Sequence, residues 1–403
     1  MKAMQKKRFG GNDGMIRCNK DMDGKENACP ACGTASCESG NADAGSGHSA
    51  ALPQRPEHAE KSGRRLRPLN AFLLKLFAAA AMLADHVGMA LGYRESLAPE
   101  ASAALRALGR AAFPLFCFLL VTGFERTSDR KKYLDRLLLA ALAAQIPFAL
   151  VGTWANYAAS AAAGAPVLEF ALPAWEALLL AIAAALFFFA GRCRISRTLW
   201  LVLAALFLPC LRLTLGGIVL HDGRQLNVLY TLALGFGTLL AAQRLARREQ
   251  GADWPARAAG LLGLALSLVL LGRYADFGLE GVALIFGLYL CRQRRWEQAA
   301  FIGLWGWWHY SVMMIGSELV PLAIAIALFL CRKKNGAQIV LILFAAAAAY
   351  LLSGHGGEAA AMGVALAGVL VLLYNGERGP GARWFYLFYP AHMLILGMWN
   401  LLF

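Results

Sequence analysis

Long apolar runs alternate with short polar joints along most of this chain. The first runs are 69–93, 109–124 and 133–152, and further ones lie near 172–190, 198–220, 226–242, 257–272, 277–291, 298–316, 319–331, 337–353, 359–374 and 384–403. About 20 apolar residues in a helix cross roughly 30 Å of hydrocarbon. Most runs reach or approach that length; 277–291 and 319–331 are short and read as re-entrant or partly buried. The pattern predicts an all-α polytopic transmembrane helical bundle of roughly 10–13 spans. Residues 1–66 break the pattern. They are rich in Gly, Asp, Asn, Ser and Lys and lack a signal peptide's apolar core, so they read as a disordered polar tail ahead of a membrane domain at 67–403.

Composition supports this division. The 403 residues are 59% hydrophobic and only 16% charged, against about 45–50% and 25% in soluble domains. A net charge of +14 raises the question of nucleic acid, but no basic patch interleaves with aromatics as such a surface requires. The cations cluster in alternate joints instead: Arg126, Arg130, Lys131 and Lys132; Arg192, Arg194 and Arg197; Arg244, Arg247 and Arg248; Arg292, Arg294 and Arg295; Arg332, Lys333 and Lys334. Joints 153–171, 317–318 and 354–358 have no Lys or Arg. This positive-inside alternation, with Lys61, Arg64, Arg65 and Arg67 before the first run, predicts a multi-pass membrane protein with its N-terminus in the cytoplasm. The lipid bilayer is its first partner.

The cysteines imply no disulfide framework. Cys29, Cys32, Cys37 and His48 in the tail form a set that a metal ion could use, but the zinc-finger spacing of a second ligand pair is missing and no metal is expected. Cys117, Cys193, Cys210, Cys291 and Cys331 lie in or beside spans and read as packing residues.

Ionisable groups inside spans are costly and are functional candidates by default. Asp85 and His86 sit together in "AMLADHVGMA". Counting from Leu69, Asp85 is 16 residues along, about 24 Å of helix, which puts both groups near the outer end of the first span. Arg110 opens the next span from that same face. An imidazole beside a carboxylate can serve as a general base, and an arginine can hold an anion or pair with Asp85. The bland alternative is a structural ion pair or interfacial snorkelling. By the same depth count Gln145, Asn227 and Asp276 fall towards the outer leaflet. His309 lies among Trp305, Trp307 and Trp308, and His392 follows Pro390, where a kink frees backbone carbonyls. Several polar groups from distant runs therefore converge at one level. No Walker-type phosphate loop and no Gly-x-Ser-x-Gly elbow are present.

The stretches "LADHVG", "GRAAFPLFCFLLVTGFERTSDRKKYLDRLLLAALAAQIPF", "LNVLYTLALGF", "DFGLEGV" and "LLYNGERGPGARWFYLFYPAHMLIL" occur in that order. Together they resemble the TraX family of bacterial membrane proteins, named for a conjugative-pilus protein that N-acetylates pilin, and more loosely other multi-span membrane acyltransferases. The match runs from about Leu69 to the C-terminus. It departs from the family at Ala144 and Gln145, at Phe277, and in the longer interval 153–225. The resemblance implies an acetyltransferase using acetyl-CoA as donor, acting on a pilin N-terminus or another surface protein or glycan, in conjugation or pilus biogenesis. It implies His86 as base with Asp85 as its orienter, and Arg110 or Asn227 against the thioester carbonyl. Asn227, Asp276, Gln145, His309, Tyr389 and His392 are the expected substrate-binding groups. Lys131, Lys132 and Arg136 are the expected contacts for the donor's phosphates. Two other readings are a secondary transporter or flippase using the Asp/His/Arg cluster and a non-catalytic scaffold for pilus assembly; no internal repeat supports the former.

Overall fold

A computed structural model describes residues 67–93, 96–152, 167–215, 218–246, 254–311, 320–330, 338, 341–342, 345, 358–381 and 384–402. The tail, with Cys29, Cys32, Cys37 and His48, lies outside the described residues. The helices are α1 (Ala71–Tyr93), α2 (Pro99–Gly109), α3 (Ala112–Arg126), α4 (Arg130–Gly152), α5 (Ala174–Ala190), α6 (Arg197–Phe207), α7 (Val228–Ala246), α8 (Trp254–Leu271), α9 (Gly278–Leu290), α10 (Arg295–Ser311), α11 (Val320–Leu330), α12 (Glu358–Leu372) and α13 (Phe385–Leu402). Among the described residues, five stretches are long and apolar enough to cross a membrane: Ala71–Gly92, Pro99–Arg126, Arg130–Val151, Val228–Ala246 and Trp254–Leu271. Shorter apolar helices, among them α5, α9, α12 and most of α13, accompany them. The protein is a helical membrane protein.

The described residues include one small sheet that the hydropathy pattern hides. The run 198–220 is not one span: α6 ends at Phe207, a single 3-10 turn covers Leu208–Cys210, and β2 (Leu211–Leu215) turns back into β3 (Ile218–Asp222). Both pair antiparallel, with β1 (Val167–Phe170) on the other side of β2. A short apolar run cannot be told from a buried helix by hydropathy alone. The expectation for the cysteines is likewise corrected at Cys193, which is exposed in the turn after α5, whereas Cys117, Cys210 and Cys291 are buried.

Helices α1, α3, α4, α7, α9 and α13 surround the region of interest. α13 lies along α4 and touches α1; α7 packs on α4 and α9, and α3 on α1 and α9. The core between them includes Phe113, Phe124, Phe236, Trp305 and Tyr374. Leu139, Leu178, Val269, Leu387 and Ile395 point outwards and are exposed, an apolar girdle suited to lipid.

Contacts define two ends. At one, the backbone of Leu69 pairs with Tyr374, and the Ala71 N–H donates to the Glu377 carbonyl. Arg126 donates to the Tyr374 hydroxyl and the Gly376 carbonyl (2.8 and 2.7 Å), and Arg292 pairs with Glu125 at 2.9 Å. This end gathers cations from several joints. At the opposite end, the Asp276 N–H donates to Leu226 and the Leu226 N–H to Tyr274 (2.9 Å each), tying the α8–α9 turn to the segment before α7.

Candidate functional site

Asp85 and His86 are consecutive on α1, so their side chains leave the helix about 100° apart and meet different neighbours. Asp85 turns towards the α2–α3 junction. There Gly109 lets the chains touch: a Cβ at that position would lie 2.3 Å from the Asp85 Cβ. The Asp85 Oδ1 stands 3.7 Å from Arg110 Nη2 and 3.8 Å from Arg106 Nε. It is buried without a hydrogen-bond partner among the described residues. Both separations are too long for a hydrogen bond, leaving an ion pair with room between its members. Arg110 also lies over the Tyr310 ring, 5.5 Å from its centroid.

His86 turns the other way, to α13. Its Nδ1 is 2.8 Å from His392 Nε2, with the rings 14° from parallel. The His392 Nδ1 is 2.7 Å from the Phe388 carbonyl. A carbonyl only accepts, so the His392 Nδ1 carries a proton. A neutral His392 then accepts at Nε2, and His86 donates from Nδ1. The chain of bonds leaves the His86 Nε2 lone pair without a proton. The partner that sets this tautomer is His392, 306 positions away, and not the adjacent Asp85.

These groups line one end of a single cavity of about 630 Å³, well within the size of small-molecule sites. Asp85, His86, Arg110 and Asp276 lie at this end; Met82, Phe116, Leu120, Leu137, Leu229 and Phe388 line its apolar stretch; Lys75, Arg126, Arg136 and Arg378 line the other end. Asp276 sits in the turn between α8 and α9. Its carbonyl accepts from the Thr231 hydroxyl, while its side chain is exposed to the cavity, within the bundle. That enclosure pushes its carboxyl up to about 6, a rise opposed by Arg110.

The remaining expected residues divide clearly. Tyr389 lines the cavity. Gln145 and Asn227 are buried and satisfied by one another: the Asn227 side-chain amide donates to Gln145 Oε1 and to the Ala141 carbonyl (2.8 Å each), and Gln145 Nε2 donates to the Gln225 carbonyl (2.6 Å). They lock α4 to the start of α7. His309 pairs with Glu280 and stacks on Trp305 (4.9 Å between centroids, 8°); the Trp305 indole N–H donates to the Glu280 carbonyl at 2.9 Å. This trio backs the site without lining the cavity. Arg136 reaches the cavity, but Lys131 and Lys132 stay on the exposed face, where Lys132 Nζ is 3.0 Å from Asp129. Lys75 and Arg378 line the cavity without having been expected to. A lone lysine in "LLKLF" was the signal for the first; the second sits in the Gly/Pro loop "NGERGPG".

Residues 71–211 match the family model described as TraX protein. Over this region the chain is similar to TraX proteins. The region holds Lys75, Asp85, His86, Arg110, Arg126 and Arg136; Asp276, Arg378 and Tyr389 line the cavity from outside it, and His392 reaches the site through its bond to His86. The chain is also 42% identical over 79 residues to the "Probable fimbrial assembly protein FimC, serogroup H1" of Dichelobacter nodosus, an overlap of 20% of this chain and 31% of that relative. The chain thus spans about a third of the curated relative it matches. No solved structure matches.

Proposed function

We propose that this protein is a membrane acetyltransferase of the cytoplasmic membrane that carries acetyl from cytosolic acetyl-CoA to an amine on the opposite face, with a pilin or fimbrial N-terminus as the acceptor. One observation carries the reading: a single cavity joins a cation-lined end to an end holding an unprotonated histidine nitrogen, an arginine and two carboxylates. By the positive-inside rule the cation-lined end faces the cytoplasm. The TraX-like segment and the fimbrial name of the relative support an acceptor in a pilus or fimbria.

At the far end Asp85 and Asp276 attract a cationic amine. An α-amine, with an ordinary pKa near 8, gives up its proton far more readily than a lysine near 10, which favours a chain terminus. The amine nitrogen attacks the thioester carbonyl carbon as His86 Nε2 takes its proton. The carbon–sulfur bond breaks, and the thiolate leaves with the proton returned from His86. Arg110 stabilises the charge that develops on the carbonyl oxygen. His392 keeps His86 in the accepting tautomer.

The test is transfer in proteoliposomes: labelled acetyl-CoA on one side, a pilin N-terminal peptide on the other, and mass spectrometry of the peptide. Wild type acetylates it; His86→Ala protein that remains folded does not. Equal labelling by both would defeat the mechanism. Solute uptake without acetyl-CoA would favour the transporter reading instead.

A further inference from the structure

The cation-lined end of the cavity has a charge balance unlike that of any ordinary joint. Lys75, Arg126, Arg136 and Arg378 line it, and among the described residues the carboxylates lining the cavity, Asp85 and Asp276, are at the other end. Lys75 is half-buried on α1 and has no carboxylate within ion-pair distance among the described residues. Arg126 is fixed by Tyr374 and Gly376, and Arg378 is anchored in turn by donating to the Arg126 carbonyl at 3.2 Å. Arg378 is carried by a loop that two left-handed glycines shape: Gly376 at φ +90° and Gly379 at φ +66°. The second packs so closely on the start of α1 that a Cβ would lie 2.8 Å from Asn70 Oδ1. Held cations without counter-charges, at the mouth of an apolar passage, suit phosphate oxygens.

The geometry points to this mouth as the binding site for the nucleotide phosphates of the acyl carrier, with Lys75, Arg126 and Arg378 as its principal contacts. The inference rests on the acetyl-transfer reading and deepens it. From Lys75 to Asp85 is ten residues of one helix, about 15 Å, so a ligand gripped here by its phosphates reaches the far end only through a thin, extended arm. Thr122, Thr127, Ser128 and Tyr133 add hydroxyls along the near half, partners for amides on such an arm. A phospholipid would offer the same phosphate to the mouth, but its tails would end on Asp85, His86, Arg110 and Asp276, all polar. A carrier whose far tip is a polar thioester fits both ends.

Equilibrium binding of labelled CoA, without the acetyl group, tests this in nanodiscs of neutral lipid and in nanodiscs containing phosphatidylglycerol. Wild type binds CoA in both. Lys75→Met and Arg378→Gln each weaken binding about tenfold, the scale of one charge-assisted phosphate contact, and flatten its salt dependence. His86→Ala binds CoA as wild type does. Arg378 is exposed, so its variant keeps the test valid if Lys75→Met misfolds, and thermal unfolding in detergent reports on both. If wild type binds CoA and both variants bind it equally well, the mouth assignment is wrong while the acetyl-transfer reading stands. Variants that lose retained phosphatidylglycerol in native mass spectra, with CoA affinity unchanged, would assign the mouth to lipid and overturn the inference. Failure of wild type to bind CoA would overturn both.

Discussion

Two clusters of ionisable groups occupy the same end of this bundle and are built from the same residue types, yet only one has the properties of a site. In the first, Asp85 faces Arg110 and Arg106 at 3.7 and 3.8 Å, with Oδ1 lacking a hydrogen bond, and the group opens on the cavity. In the second, Glu176 at the start of α5 accepts from the Tyr274 hydroxyl at 2.6 Å and pairs with Arg273 at 3.5 Å, with Glu176 only 2% exposed. The second is closed and saturated. The first is loose and open. An acid–base pair in a membrane protein is therefore not diagnostic by itself; what distinguishes a site is unspent bonding capacity facing a cavity.

That contrast fails outright if His86 can be removed without consequence. His86→Ala should lower acetyl transfer by about 10²- to 10⁴-fold, the range of a lost general base, with protein yield and CoA binding preserved. His392→Ala should fall short of that loss. It leaves His86 in place but free to adopt either neutral tautomer, a ratio that pH does not change, so its defect should be smaller than that of His86→Ala and the same across the pH range. Radiolabel transfer in proteoliposomes measures both, and a His392→Ala loss as large as that of His86→Ala would remove His392 from the positioning role.

Arg110→Ala comes next. Removing a donor aimed at developing negative charge costs about 10²–10³ in rate, and here it also leaves Asp85 with Arg106 alone. Arg110→Lys separates the two effects: the charge beside Asp85 is kept, the planar fork is not. Recovery of protein stability with little recovery of transfer is the expected result, read from thermal unfolding and from kcat. Full recovery of kcat by lysine would reduce Arg110 to a counter-ion.

That Asp85, Arg110 and Asp276 share one end of the bundle is legible in the sequence, because helix rise converts residue count to distance and charge inside a span is rare. The His86–His392 bond is not: the two positions are separated by almost the whole membrane domain, and the adjacent Asp85 offers a plausible orienter on local grounds. Helical rotation decides against it, since neighbours on a helix point apart. The cation-lined end of the cavity is hidden in the sequence for a similar reason. Lys131 and Lys132 stand out by density, but they are near the start of α4 on its outer face, whereas the isolated Lys75 points inwards. The sheet at β1–β3 is hidden because a short apolar run has the same hydropathy in either conformation.

Asp276→Asn is expected to act more mildly and through pH. The wild-type carboxyl, raised to about 6 by burial, is charged above that pH and neutral below it. Its attraction for an ammonium acceptor is therefore present at neutral pH and lost as the pH falls through about 6. The wild-type KM for the peptide should rise on that limb while kcat holds. The asparagine variant should show the raised KM at every pH, by about tenfold at pH 7 for one charge-assisted contact, and no limb near 6. A limb that persists in the variant belongs to another group.

Glu176→Gln supplies the other half of the comparison and the smallest effect on transfer. Glutamine keeps an acceptor for the Tyr274 hydroxyl but gives up the charge that faces Arg273, a partner more than half exposed and so screened by solvent. The loss of stability should be about 1 kcal/mol, read as a lower unfolding midpoint in detergent, and kcat and KM should stay at their wild-type values. The reasoning depends on saturation: every bond Glu176 makes is spent within the α5–α8 contact, and none reaches the cavity. Should this variant lose transfer out of proportion to stability, a closed ion pair would be coupled to the chemistry after all, and open bonding capacity would no longer separate site from scaffold.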